Sequence, residues 1–271
     1  MNVDQLSFTK ACGLGNDFVI LPLPIKTVDL SKLSIALADR RYGIGCDQII
    51  FTEEAPFKKT YKIRFFNSDG SEAEGCGNGS RCVARLLMDE RGWECVKLET
   101  AGGMLDCQKK SENTVSIQMP NPQWEKNVPI YDDIIKKAFY ITIGNPHLVC
   151  FVGDIDDVKT KGSIFETYLH QINDRFPERV NVGFAQVMDR KNIALNVWER
   201  GAGLTPACGT GACAAAVAAC LEDFTDKSVI VHQKGGALKI HWAEDGLFMS
   251  GEALTIYQGS ISLNLLNGRI G

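Results

Sequence analysis

Apolar and polar positions alternate over short runs along most of this chain, and that two-residue period predicts strands separated by turns. In the first half, "LSFTKACG" (6–13) and "FVIL" (18–21) read as strands on either side of a Gly-Leu-Gly-Asn-Asp turn. "SKLSIALADRR" changes to helical spacing, with Ser31 as the expected cap and Gly43 beyond the end. "DQIIFTE" and "YKIRFFN" return to strand. The turn-rich "NSDGSEAEGCGNG" then leads into a helix over about 80–90, closed by Gly92. "CVKLET", "MLDCQ" and "TVSIQM" form a meander around the Ala-Gly-Gly turn at 101–103.

The segment "PNPQWEKNVP" (120–129) carries three prolines and no period, and it is the expected domain boundary. After it the same order of elements returns. "AFYITIG" and "HLVCFV" are strands, a helix follows near 163–172, and "VNVGFAQVMD" and "IALNVWE" are strands again. "RGAGLTPACGTG" leads into a helix over roughly 212–222, and "KSVIVHQ", "ALKIHW" and "LFMSG" close with another meander. One order of elements written twice implies an α+β protein of two pseudo-symmetric domains, each a curved, mostly antiparallel sheet wrapped around a central helix. The expected spans are 1–119, rejoined by strands within 253–271, and 120–252. The helix "ACAAAVAAC" is built almost entirely of small residues, which suits a rod enclosed on every side.

Composition removes several function classes. With 271 residues, 45% hydrophobic, 23% charged and a formal net charge of −4, the chain has the profile of an ordinary soluble protein. No basic run interleaved with aromatics speaks for nucleic acid. The N-terminus lacks the basic-then-apolar order of a secretory signal, and no apolar run reaches the ~20 residues that span a bilayer. A cytoplasmic protein with neither a nucleic-acid nor a membrane partner is the expectation. The ten cysteines are scattered, form no C-x-x-C pair, and accompany four histidines without ligand spacing, so neither a disulfide framework nor a metal site is expected.

Two of those cysteines stand apart. "CGNGSRC" begins at Cys76 and "CGTGACA" at Cys208, each just ahead of a helix. Free N–H groups and the helix dipole at such a position favour thiolate over thiol, and the glycines leave the amides open to an anion. One such cysteine would fit a nucleophile. A matched pair fits inversion of a tetrahedral carbon, in which one group removes a proton while another delivers one to the opposite face. Such chemistry requires no cofactor. Other readings are weaker. "GLGNDF" lacks the third glycine of a dinucleotide fingerprint, and a Cys–His hydrolase leaves the second copy unexplained. A thiol redox module or a non-catalytic amino-acid binder stays open from the residues alone.

"GLGNDF" (13–18), "NSDGSEAEGCGNGSRC" (67–82), "GNPH" (144–147), "RVNVGF" (179–184) and "ERGAGLTPACGTGACA" (199–214) together resemble diaminopimelate epimerase over nearly the whole chain. The resemblance implies a cofactor-independent homodimeric isomerase with its site in an interdomain cleft. It would interconvert LL- and meso-2,6-diaminopimelate for lysine and peptidoglycan precursors. By position it implies Cys76 as proton donor and Cys208 as acceptor in one direction, with His147 and Glu199 supporting them. The implied substrate contacts are Asn16, Gln48, Asn67, Gly77, Asn78, Asn145, Asn181, Glu199, Arg200, Gly209 and Thr210. Amide side chains both donate and accept, and Arg200 can clamp a carboxylate, so the set suits a substrate that is zwitterionic at both ends. A proline or hydroxyproline racemase is the nearest rival, though its ligand is apolar at the far end. The chain departs from the family's usual residues at Cys12, where histidine is common, and at Cys46, where an aromatic is usual. The strands around Tyr257 are the expected dimer surface.

Overall fold

The computed structural model describes residues 5–24, 28–126, 128, 135–157, 161–167 and 179–262. The chain divides into two compact units, one comprising Met1–Ile117 with Gly251–Gly271 and the other Gln118–Ser250. The fold is α+β.

In the first unit, β1 (Gln5–Gly13) runs antiparallel to β2 (Asn16–Pro22). The strand β2 is parallel to β3 (Gln48–Glu54), which is antiparallel to β4 (Thr60–Asn67). From β4 a parallel pairing leads to β6 (Cys95–Thr100), then antiparallel steps lead to β7 (Gly103–Ser111) and β8 (Thr114–Met119). A short β5 (Glu72–Ala73) lies on β4, and the late strand β18 (Leu254–Ser262) adds itself to β1. Helix α2 (Gly77–Arg91) touches β1 and β2 as well as β6 and β7, so the sheet curls around it. Helix α1 (Leu30–Ala38) covers another face, where Leu33 and Leu37 share a core with Ile49, Phe51 and Phe66.

The second unit repeats the scheme. The strands β9 (Gln123–Lys126), β10 (Lys137–Thr142) and β11 (Pro146–Phe151) are antiparallel neighbours, and β11 is parallel to β12 (Asn181–Asp189). Next come β13 (Asn192–Glu199), antiparallel to β12, and a parallel step to β15 (Ser228–Gln233). Antiparallel β16 (Gly236–Ala243) and β17 (Gly246–Glu252) follow, and a short β14 (Gly203–Thr205) folds back on β13. Helix α4 (Gly209–Leu221) is the enclosed rod. Ala212, Cys213, Ala214, Ala215, Val217, Ala218 and Ala219 are all fully buried, and the helix contacts strands from β10 to β16. Only small side chains let strands approach a helix on so many sides.

Several local expectations need correction. Asp29, not Ser31, caps α1, its carboxylate accepting from the Lys32 amide at 3.2 Å; the Ser31 hydroxyl instead donates to the Gly70 carbonyl. A carboxylate is the better acceptor at a helix N-terminus, because the dipole favours its charge. Within the expected boundary segment, Gln123–Lys126 forms a strand that pairs with β10. The two central helices begin at Gly77 and Gly209, three residues earlier than hydrophobic periodicity suggests, because their first turns are polar or glycine-rich. Gly92 does close α2, in the left-handed conformation at φ 66°. The helix expected near 163–172 is observed over 161–167 (α3), and 168–172 lie outside the described residues.

Candidate active site

Cys76 is the N-cap of α2. Its extended backbone (φ −147°, ψ 112°) turns the sulfur back over the first turn, where it accepts from the Gly79 amide at 3.5 Å. Gly79 has to be glycine for a packing reason: a Cβ there would stand 2.9 Å from Ile50 and 3.0 Å from Phe65. The thiol is half-buried. Two residues into the motif, Asn78 is buried and donates through Nδ2 to Asn16 Oδ1 at 2.8 Å. Asn16 opens β2, and its own Nδ2 lies 3.3 Å from Asp47 Oδ2.

Beneath Asn16 lies an ion cluster. Asp17 accepts from both terminal nitrogens of Arg40, at 2.9 and 2.7 Å, and from Lys10 at 2.6 Å; Arg40 also reaches Asp47 at 2.8 Å. Although burial works against it, the Arg40 and Lys10 bonds hold the Asp17 carboxyl far below its usual range. The turn that presents Asn16 is thereby tied to the loop before β3. At the start of β3, Gln48 faces Asn67 across the ladder and donates to Asn67 Oδ1 at 2.8 Å. Gly77 is the first residue of α2.

The second unit places its residues in matching positions. Cys208 is the N-cap of α4, also extended, followed by Gly209, whose Cβ-free backbone lies against Met249. Its amide donates to Gln233 Oε1 at 2.7 Å. Unlike Cys76, Cys208 is almost fully buried. The helix N-terminus does not bring this thiol's pKa below its ordinary value, contrary to expectation. Burial raises it most and the Glu199 carboxylate raises it further, while Gly211 N–H and the Thr210 hydroxyl offset only part. Desolvation of a full negative charge outweighs the partial charges of a helix end.

Around Cys208, Thr210 Oγ1 stands 3.7 Å from the sulfur and 2.9 Å from His147 Nε2, which is also 3.0 Å from Asn145 Oδ1. His147 is buried, and burial together with the Arg200 charge pushes its pKa down to about 3. The ring is neutral near pH 7, with one proton to give. Asn145 Oδ1 can only accept, which assigns that proton to Nε2 and leaves Nδ1 as a buried nitrogen without a hydrogen-bond partner. Asn181 opens β12, accepts from the Arg200 amide at 2.9 Å and donates to the Pro146 carbonyl at 3.1 Å. Glu199, which ends β13, accepts from the Thr205 hydroxyl of the neighbouring β14.

Within the first unit the structure thus joins Asn16 to Asn78 beside Cys76, and Gln48 to Asn67. Within the second it gathers Cys208, Thr210, His147, Asn145 and Glu199, with Asn181 and Arg200 linked alongside. Sequence reasoning missed Thr205, Gln233, the Asp17–Arg40–Asp47 cluster and Arg81, whose guanidinium donates to Asn78 three residues back. Gln233 and Asp17 meet partners more than twenty residues away, and Thr205 reaches Glu199 through the pairing of β14 with β13, so none of these contacts leaves a local period.

A sequence model of the family described as diaminopimelate epimerase matches residues 8–125 and 139–256. The chain belongs to the diaminopimelate epimerase family. A diaminopimelate epimerase of Nitrosomonas eutropha is 40% identical, the alignment covering 96% of this chain and 100% of that one. One from Pseudomonas syringae pv. tomato is also 40% identical, covering 95% and 99%. Among solved structures, a phenazine biosynthesis protein of Bacillus anthracis superposes with a TM-score of 0.71 at 15% identity, over 95% of this chain and 99% of the other. A hydroxyproline epimerase from Agrobacterium vitis gives 0.66 at 14%, over 96% and 93%. At such identities these likenesses establish the fold alone. In this member of the diaminopimelate epimerase family, Cys46 is a core residue whose thiol burial pushes up to about 12, while Cys12 is half-buried on β1.

Proposed function

We propose that the protein interconverts LL- and meso-2,6-diaminopimelate by proton transfer between the thiols of Cys76 and Cys208. In one direction a thiolate removes the α-proton, forming S–H as C–H breaks. The opposite thiol then delivers its proton to the other face of the carbanion, and reversal exchanges the roles. The observation that carries this reading is that the two cysteines hold the same place in two copies of one fold, each immediately before the enclosed helix. Amides of Gly77-Asn78 and Gly209-Thr210 would meet charge developing at the reacting end. Asn16, Gln48, Asn67, Asn145, Asn181, Glu199 and Arg200 would hold ammonium and carboxylate groups. The reading requires both sulfurs to reach one stereocentre, and a cleft between the two units would provide that.

Incubation with LL-diaminopimelate in deuterated water tests the assignment: one deuterium appears at the inverted α-carbon, and none appears in proline. Label in proline but not in diaminopimelate would transfer the reading to the racemase alternative. We further propose a cytoplasmic homodimer. No described helix is long and apolar enough to cross a membrane, and β18 exposes Ile256 and Tyr257 at 54% and 47%. The mass in solution is expected to be twice the 29.8 kDa of the chain, and a monomeric mass would remove the dimer.

A further inference from the structure

Arg81 is the largest fully buried side chain of the molecule's described residues, on the second turn of the helix that Cys76 caps. Removing a guanidinium from water is costly unless its donors are satisfied, so its partners are informative. Its Nη2 donates to Asn78 Oδ1 at 2.7 Å, and its Nε lies 3.5 Å from the Glu252 carbonyl. A guanidinium has donors and no acceptor. Asn78 must therefore turn its oxygen toward Arg81, which sends its NH2 toward Asn16 Oδ1 at 2.8 Å. Asn16 in turn must direct its NH2 away, and the atom it meets is the acceptor-only carboxylate of Asp47 at 3.3 Å. A cation at one end and an anion at the other give the chain one polarity, so neither amide can flip without two losses.

We propose that Arg81 is a positioning residue that fixes, through Asn78, the orientation in which Asn16 meets the substrate. This rests on the proposed function for Asn16's contact with substrate, although the relay itself does not. The second unit carries a different arrangement at the matching positions. Five residues after Cys208, where Arg81 follows Cys76, stands the fully buried Cys213. The residue two after the cysteine is there Thr210, and neutral His147 ties it to Asn145. A charged anchor serves one half and an uncharged anchor the other.

The test uses the full-length protein. In Arg81→Met, solvent exchange of the Asn16 and Asn78 side-chain amides, followed by NMR without substrate, is expected to accelerate about tenfold, the worth of one charge-assisted hydrogen bond. KM for LL-diaminopimelate should rise by a similar factor while kcat changes less. Asn78→Asp keeps an acceptor for Arg81 but removes the donor to Asn16. It should reproduce the faster Asn16 exchange, and it decides the matter if Arg81→Met does not fold. Arg81→Lys, which keeps a donor, should recover part of the KM loss. Arg81→Met combined with Asn16→Ala should be no worse in KM than Asn16→Ala alone. Unchanged Asn16 exchange in both Arg81→Met and Asn78→Asp, or additive KM effects, overturns the relay. Because exchange is read without turnover, a parent protein that fails to epimerise would sink the proposed reaction and leave exchange to decide the relay.

Discussion

Alanine at Cys76 or at Cys208 is expected to lower epimerisation by about a hundredfold to ten-thousandfold, the range of an acid–base group placed at the reacting atom. Folding should survive both changes. Cys76→Ala gives up a weak sulfur cap to the Gly79 amide, and a lost cap costs about 1 kcal/mol. Cys208→Ala removes one atom from a buried site, and small core truncations cost about 1 kcal/mol. Thermal melts should therefore move by a few degrees in a chain of this size. The informative readout lies beyond turnover. If each sulfur serves one face, a single variant can still exchange the α-proton of the isomer that its remaining cysteine addresses, without inverting it. Cys76→Ala and Cys208→Ala should then exchange opposite isomers in deuterated water. Full turnover in either variant, or the same isomer exchanged by both, would end the two-thiol mechanism.

The parts of this protein most legible in its sequence are those with a short-range cause. Strands in the half-buried meanders follow from two-residue alternation, as "CVKLET" does with Val96 and Leu98 buried and Lys97 exposed. The end of α2 follows from Gly92, because a left-handed residue suits glycine. The starts of the central helices are less legible. Their first turns bury polar or glycine backbone for the sake of the site, so hydrophobic period begins only afterwards. The cysteine motifs could be read as candidates because a thiol before Gly-x-Gly is a chemical signal in itself. Their unequal electrostatics could not. Both motifs spell a helix N-terminus, yet Cys76 is half-buried and Cys208 lies beside the charged Glu199 under nearly complete burial. Arg81 illustrates the same limit from the other side. In a sequence it looks like a solvent-facing residue of a polar helix, and only the curl of the sheet around α2 encloses it.

Glu199→Gln should lower epimerisation by roughly a hundredfold and, separately, make Cys208 more acidic. Burial is the larger reason that Cys208 holds its proton, and the Glu199 charge is the next. Neutralising that charge leaves burial in place, so the pKa falls part of the way toward its ordinary value near 8.5 and does not pass it. Alkylation of Cys208, followed by peptide mass spectrometry across pH 7 to 10, should therefore speed up at every pH in the variant. Alkaline unfolding is a poorer probe. A thiol raised on folding contributes stability that is complete below about pH 8.5 and is lost as pH rises toward the folded value, because the unfolded chain ionises first. Cys46, Cys82 and Cys107, each pushed up to about 12 mainly by burial, follow the same sign and share that loss. Site-resolved alkylation separates them. If Glu199 only gripped substrate, KM would rise and the Cys208 profile would stay in place. A shifted profile with a collapsed kcat places Glu199 as the charged neighbour that, on top of burial, raises the Cys208 thiol and assists its proton transfer during turnover.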